Sequence, residues 1–545
     1  MKILKIVLLI SISMIILSAC SSQGAKNSED DGQVLFIGDT IAIAQTEYGK
    51  VKGYIMKDVY TFLGIPYGAS TAGSNRFMPP VPPEPWEDIR PAVFWGNSAP
   101  QIVEGRFKNT YSVFQDSWNY EDVSEDCLML NVWTKGIDND KRPVIVWLHG
   151  GGFTSGNAVE QDGYKGENLA RYGNVVFVSV NHRLGPMGFT DLSAVDPRFK
   201  DSGNVGMLDL VAALQWINRN IANFGGDPAN VTIIGQSGGG SKVCTLVAMN
   251  ETEGLIHKAI ALSGSTTTAT SQEYSAGLGA FIVKEAGLKS SDIAKLQEMS
   301  WRDYLELANR SVLKYNEANP YNGTVRRGFS PIADGYHIPK DGYFSDLNVP
   351  SAKIPMIFCT TTSESNLTRD NAELEQIDMA GLVEWVKNRF PEKDANAIVE
   401  AYHKAFPDLK PALLMGMIAS PRTRVIQAIN AKAEQNAPVF LAWFGWNTPL
   451  YDGRSRAFHC LDICFWFRNT DLMVTHTGGG KRPRDLSIKM ADALLSFMRT
   501  GNPNGGGLPT WPAYTLENGA TMMLNDISEV KNDPDREARS VIEAE

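Results

Sequence analysis

Val231-Thr232-Ile233-Ile234-Gly235-Gln236-Ser237-Gly238-Gly239 runs from β-branched residues into a serine set among glycines, and Lys242-Val243-Cys244-Thr245-Leu246-Val247-Ala248-Met249 follows with a helix-compatible pattern. The apolar run reads as a short buried strand. Glycines around Ser237 permit a turn too sharp for side chains, leaving the hydroxyl exposed at its tip. Strand, turn and helix in this order form the setting of a nucleophile elbow. Ser237 is therefore the candidate nucleophile of an acyl-transfer enzyme, which needs a base, an acid and an oxyanion hole from elsewhere in the chain. A G-x-S-x-G pentapeptide also arises by chance, so those partners carry the reading.

The flanking pattern agrees with it. Val144–Leu148, Val175–Val180, Ala259–Leu262, Ile354–Phe358 and Val439–Phe444 are further apolar runs of buried-strand type. Leu208, Leu210, Val211, Leu214, Ile217 and Ile221 recur at helical spacing before Gly225-Gly226, and Asp485 to Arg499 forms another amphipathic helix before Gly501-Asn502-Pro503. Alternating strands and helices predict an α/β fold with a central, mostly parallel sheet flanked by helices. Val34 to Val59 alternates more like small antiparallel strands. No repeat or Pro- or Ser-rich linker interrupts residues 34–545, which read as one catalytic domain.

With 43% hydrophobic and 21% charged residues, the 545-residue chain has the composition of a soluble globular protein and can bury a sizeable core. A net charge of −10 without a basic cluster argues against a nucleic-acid partner. The N-terminus differs in kind. Met1-Lys2-Ile3-Leu4-Lys5 is basic and Ile6 to Leu17 is almost wholly apolar, the pattern of a secretory signal peptide over residues 1–19. Leu17-Ser18-Ala19-Cys20 resembles the bacterial lipobox, which implies a lipid on Cys20, a membrane anchor and export to the cell envelope. Residues 20–33, polar and Gly-containing, read as a flexible tether. Cys127, Cys244, Cys359, Cys460 and Cys464 are odd in number and scattered, so no disulfide framework is expected. His459, Cys460 and Cys464 lie close together, but a fourth ligand at a suitable spacing is not evident, and no metal is expected.

His149-Gly150-Gly151-Gly152-Phe153 directly follows the strand Val144–Leu148. Successive glycines let the backbone approach a substrate with its N–H groups turned to one point, the H-G-G-G pattern of esterase oxyanion loops. The expected donors are the N–H groups of Gly151, Gly152 and Gly238. The chain here resembles the type-B carboxylesterase family, which includes cholinesterases and bacterial p-nitrobenzyl esterases. Phe62-Leu63-Gly64-Ile65-Pro66-Tyr67, Asn75-Arg76-Phe77, Glu125-Asp126-Cys127, Asn181-His182-Arg183-Leu184-Gly185-Pro186 and Phe224-Gly225-Gly226-Asp227-Pro228 carry the resemblance, which extends to Trp511-Pro512-Ala513-Tyr514. It implies the α/β-hydrolase fold, with the active site at the base of a gorge.

Of seven histidines, His459 follows the late strand Val439–Phe444, which gives the order serine, acid, histidine expected of this fold. It also resembles the family's catalytic histidine, with Asp462 three positions later; His476 is the second candidate. Glu364 lies just past the strand Ile354–Phe358 and matches the family's glutamate, although Ser365 replaces the usual glycine; Asp370 is the alternative acid. By the same resemblance Ser263 would support the acid and the histidine.

Two departures stand out. Ala99 occupies the position of a family cysteine that bridges to the cysteine matching Cys127, so the segment holding Phe107, Tyr111, Phe114, Trp118 and Tyr120 is expected to be untethered and mobile. Gly238 replaces a more usual alanine, which would leave the elbow less restrained. The expected activity is hydrolysis of small carboxylic esters without a cofactor. The alternatives are a non-catalytic binding protein on the same fold and a lactone or amide hydrolase with the same triad.

Overall fold

The computed structural model describes residues 32–102, 114–115, 122–320, 327–345, 347, 349–365 and 367–543. Residues 1–19, expected to be a signal peptide, Cys20 and most of the aromatic segment before Glu125 lie outside the described residues. Phe114 is described; it is about half exposed and meets Tyr451 edge-on.

Twelve strands form the main sheet. In chain order they are β1 (Leu35–Phe36), β2 (Tyr54–Met56), β3 (Val59–Pro66), β4 (Met129–Thr134), β5 (Arg142–Leu148), β6 (Val176–Val180), β7 (Gly226–Gln236), β8 (Lys258–Leu262), β9 (Met356–Thr361), β10 (Val439–Phe444), β11 (Ala520–Leu524) and β12 (Glu529–Asn532). Across the sheet they run β1-β2-β3-β4-β6-β5-β7-β8-β9-β10-β11-β12. From β6 to β11 every neighbouring pair is parallel. The N-terminal edge and β12 are antiparallel.

The expected strands are present at these places. The strand expected from Ile354 begins instead at Met356, since Pro355 has no N–H to give the ladder. The N-terminal alternation resolves into two hairpins: Ile43–Thr46 with Gly49–Lys52 forms part of a separate small sheet, while β2 and β3 join the main one.

Alternate side chains of the central strands enter two apolar layers. Val144, Val146 and Leu148 face one, and Ile145 and Trp147 the other. Burial on both faces explains why these strands read as continuous apolar runs. Three helices pack on this sheet: α1 (Val205–Asn220), α2 (Gly238–Leu246) and α3 (Lys481–Thr500). The last starts earlier than the amphipathic pattern, because Pro483 is tolerated in a first turn, where no helical partner is needed for its nitrogen.

Buried ion pairs tie together the motif segments that carry the family resemblance. Arg76 donates from Nε and Nη2 to the two Glu125 carboxylate oxygens at 2.7 Å each, and its Nη1 reaches the carbonyls of Leu296 and Met299. Arg183 grips Asp209 of α1 at 2.6 and 2.8 Å. Each guanidinium is paired and hydrogen-bonded, the condition for burying a charge. Ala99 and Cys127 are both buried, and Cys127 is a free thiol. Burial, with the charge of Asp209 adding to it, pushes that thiol well above its ordinary range.

Candidate active site

Ser237 is the single residue between the end of β7 and the start of α2. Its φ is +57°, a backbone region that side chains seldom adopt. Its N–H is fixed to the carbonyl of Leu262 at the end of β8, 2.7 Å away. The residue is half-buried while its neighbours Gln236 and Gly238 are buried, so the hydroxyl is held at the tip of the turn. The hydroxyl itself makes no hydrogen bond among the described residues.

The other expected residues follow the carboxyl ends of nearby strands, where ligands gather in parallel sheets. Glu364 comes three residues after β9, and His459 lies on the long connection after β10. Ser363 and Phe458 form an isolated parallel bridge, and the Ser363 N–H donates to the carbonyl of Ala457 at 3.3 Å. That bridge brings Glu364 and His459 side by side. The Nδ1 of His459 makes a short hydrogen bond with Glu364 Oε2. The Oε1 of Glu364 accepts from Ser263 Oγ at 2.6 Å, Thr360 Oγ1 at 2.6 Å and the Thr361 N–H at 2.7 Å.

Burial alone would raise the Glu364 carboxyl. The facing His459 and the hydrogen bonds from His459, Ser263 and Thr360 outweigh it and hold the acid at about 2. His459 is likewise opposed by burial, yet Cys460 and Glu364 lift it well above the usual histidine range. Asp462 does not bond to His459. Burial, and then the charge of Glu364, push it up to about 7, and Trp466 Nε1 donates to its Oδ2 at 3.3 Å.

The second-choice residues lie elsewhere. His476 is buried against Phe458, and burial, together with Arg369, lowers it to about 3. Asp370 pairs with Arg369 at 3.3 Å. Cys460 and Cys464 diverge, the first donating to Gln236 Oε1 at 3.2 Å and the second to the carbonyl of Leu461 at 3.3 Å.

The glycine loop after β5 lies against the elbow. Gly151 and Gly152 have φ of +79° and +65°, and the Gly151 carbonyl accepts from the N–H groups of Thr154 and Ser155. The N–H groups of Gly151, Gly152 and Gly238 have no acceptor among the described residues. Gly238 packs so closely that a Cβ there would sit 2.0 Å from the Gly152 carbonyl oxygen. Two buried side chains grip this loop. Lys242 Nζ, from α2, donates to the carbonyl of His149 at 2.9 Å. Gln101 brackets Gly156, donating to its carbonyl at 3.0 Å and accepting its N–H at 2.8 Å. Neither role was apparent from sequence, although Lys242, as the one charged residue of the helix directly after the serine, was a usable signal.

A half-buried serine on a strained turn, a carboxylate–imidazole pair and a cluster of uncommitted backbone N–H groups together have the parts of an acyl-transfer site. The profile of the carboxylesterase family matches residues 41–541. The chain belongs to the carboxylesterase family. This carboxylesterase is 32% identical to the para-nitrobenzyl esterase of Bacillus subtilis (strain 168), over 92% of this chain and 98% of that protein. It is 29% identical to the phenmedipham hydrolase of Pseudarthrobacter oxydans, over 89% of this chain and 96% of that one. An esterase of anaerobic Clostridium hathewayi, described as able to hydrolyse aliphatic aromatic polyesters, superposes with a TM-score of 0.78 at 32% identity, covering 93% of this chain and 99% of its own. A Geobacillus stearothermophilus carboxylesterase superposes at 0.73 with 30% identity, covering 92% and 99%. This carboxylesterase therefore has the α/β-hydrolase fold and is a carboxylic ester hydrolase.

Proposed function

We propose that the carboxylesterase hydrolyses small carboxylic esters through an acyl-enzyme on Ser237. The observation that carries this reading is the Glu364–His459 pair, bridged into place beside the Ser237 elbow. His459 takes the hydroxyl proton on Nε2 while Ser237 Oγ attacks the ester carbonyl. Glu364 holds the ring by Nδ1 and steadies the imidazolium. The N–H groups of Gly151, Gly152 and Gly238 stabilise the oxyanion. His459 then protonates the leaving alcohol, and water, deprotonated in turn by His459, releases the acid.

A fluorophosphonate probe followed by peptide mapping tests the assignment. The expected product is a single adduct on Ser237, blocked by prior incubation with a slowly hydrolysed ester. An unlabelled protein, or a label on another serine, would refute it and favour a binding protein on this fold.

The N-terminal pattern supports a finer reading of location. We infer that residues 1–19 are a signal peptide, that Cys20 carries a lipid, and that residues 20–33 tether the domain of residues 34–545 to a membrane of the bacterial envelope. Cells grown with labelled palmitate should yield labelled protein, and Cys20→Ser should abolish that label; equal labelling of the variant would exclude the anchor.

A further inference from the structure

Four consecutive apolar residues lie open at one edge of the main sheet. Val34, Leu35, Phe36 and Ile37 are each between 39% and 58% exposed. They are held in place by the backbone. Leu35 and Phe36 form β1 and pair with Met56 and Ile55 of β2. The Val34 carbonyl accepts from the Lys57 N–H at 2.7 Å, and the Gln33 side chain donates to the Leu35 carbonyl at 2.8 Å. β1 is the outermost strand, so its far side has no strand partner among the described residues. Successive side chains of a strand point to opposite faces. Both faces of this edge are therefore apolar, and neither is covered. Edge strands in water are normally blunted by charge, proline or a covering element; these four residues carry neither charge nor proline.

Phe94 widens the open area. It is 77% exposed and follows Val93, which bridges Leu63 of β3. Its backbone carbonyl packs on Gly64. Two strand spacings and three residues of register put Leu63 roughly 14 Å from Phe36. An aromatic ring at the margin of an aliphatic patch suits the headgroup level of a bilayer.

The chain outside the described residues says what covers this edge. Only 14 residues separate Cys20 from Val34. A chain of that length spans roughly 20 Å as a coil and about 50 Å when fully extended. Both are shorter than the diameter of about 60 Å expected of a domain this size. With a lipid on Cys20, the edge at Val34 is thus the part of the domain kept next to the bilayer.

We propose that Val34–Ile37, with Phe94, is a membrane-docking edge: it enters the boundary between headgroups and acyl chains and seats the domain edge-on to the bilayer. This rests on the lipid anchor at Cys20 proposed above. Ser237 follows β7, the seventh strand from this edge, and so stands roughly 30 Å from the contact. Docking therefore leaves the candidate active site clear of the lipid.

The test uses full-length lipidated protein in phosphatidylcholine vesicles whose acyl chains carry bromine near the headgroup end, a quencher of tryptophan emission. Phe36→Trp adds a reporter at the proposed contact, and Ile37→Trp repeats it just outside the ladder. Ile527→Trp adds one at another open place, the hairpin joining β11 and β12 at the far edge of the sheet, where Ile527 is 86% exposed. All three variants should hydrolyse p-nitrophenyl acetate as the wild type does, which checks the fold. After subtraction of wild-type emission, the increments from Phe36→Trp and Ile37→Trp should be quenched in brominated vesicles and that from Ile527→Trp kept. On protein whose mass includes the lipid, quenching at both edges or at neither defeats the docking alone. Unquenched increments in copies that cross-link through β1 give the edge to a second copy of this chain and overturn the proposal as well. Protein without the lipid mass defeats the anchor and the docking together.

Discussion

Ser237→Ala is expected to lower kcat for short p-nitrophenyl esters by about 10⁶-fold, with the melting temperature close to that of the wild type. The expected loss is large because the nucleophile and its base act as one unit, and what survives is stabilisation by the oxyanion donors and binding alone. Stability should be spared for local reasons. The hydroxyl makes no hydrogen bond among the described residues, and the position is half-buried, so no buried partner is stranded. Alanine meets the +57° φ at about the same cost as serine. Stopped-flow hydrolysis and a thermal melt on the same preparation check both halves. Turnover within tenfold of the wild type would place the nucleophile on another residue.

Gly238→Ala is expected to reduce kcat by about 10²–10³-fold, the effect of losing one oxyanion donor. The family resemblance alone points the other way, since it implies alanine here, which would restrain the elbow. The structure supplies a different reason for glycine. A methyl at this position would meet the Gly152 carbonyl oxygen at 2.0 Å and its Cα at 2.4 Å. These are backbone atoms, so relief requires the whole glycine loop to move away from the elbow. That loop carries two of the three proposed donors, and Lys242 and Gln101 hold it from behind. A displaced loop should impair kcat more than KM, because the oxyanion exists only in the transition state and intermediate. Wild-type kcat in Gly238→Ala would show that the loop yields without consequence.

Much of the fold was legible in the sequence because its signals are local. The β-branched runs mark strands buried on both faces, and Gly225 and Gly501, at φ of +73° and +77°, end α1's 3₁₀ extension and α3 where the pattern ended. Strand ends and the family resemblance together pointed to Glu364 and His459, ahead of Asp370 and His476. What was not legible is which side chains reach the site from a distance. Gln236 and His459 are 223 residues apart, and Lys242 grips a carbonyl 93 residues away. Gln101 brackets Gly156 from 55 residues away.

By itself the sequence determined the strand–turn–helix around Ser237, the glycine-rich loop after β5 and the α/β alternation, since backbone preferences and hydrophobic periodicity act between near neighbours. Tertiary structure decided the contacts that give those residues a chemistry. Glu364 meets His459 because parallel strands β9 and β10 end together and Ser363 bridges Phe458. Gly238 is required because a loop from another strand packs on its Cα. Gln236 reaches His459 because β7 ends beside the loop that carries the histidine. Each of these is a spacing of a few ångströms between separate loops, set by how the sheet stacks its strands, and no local pattern in the chain encodes it.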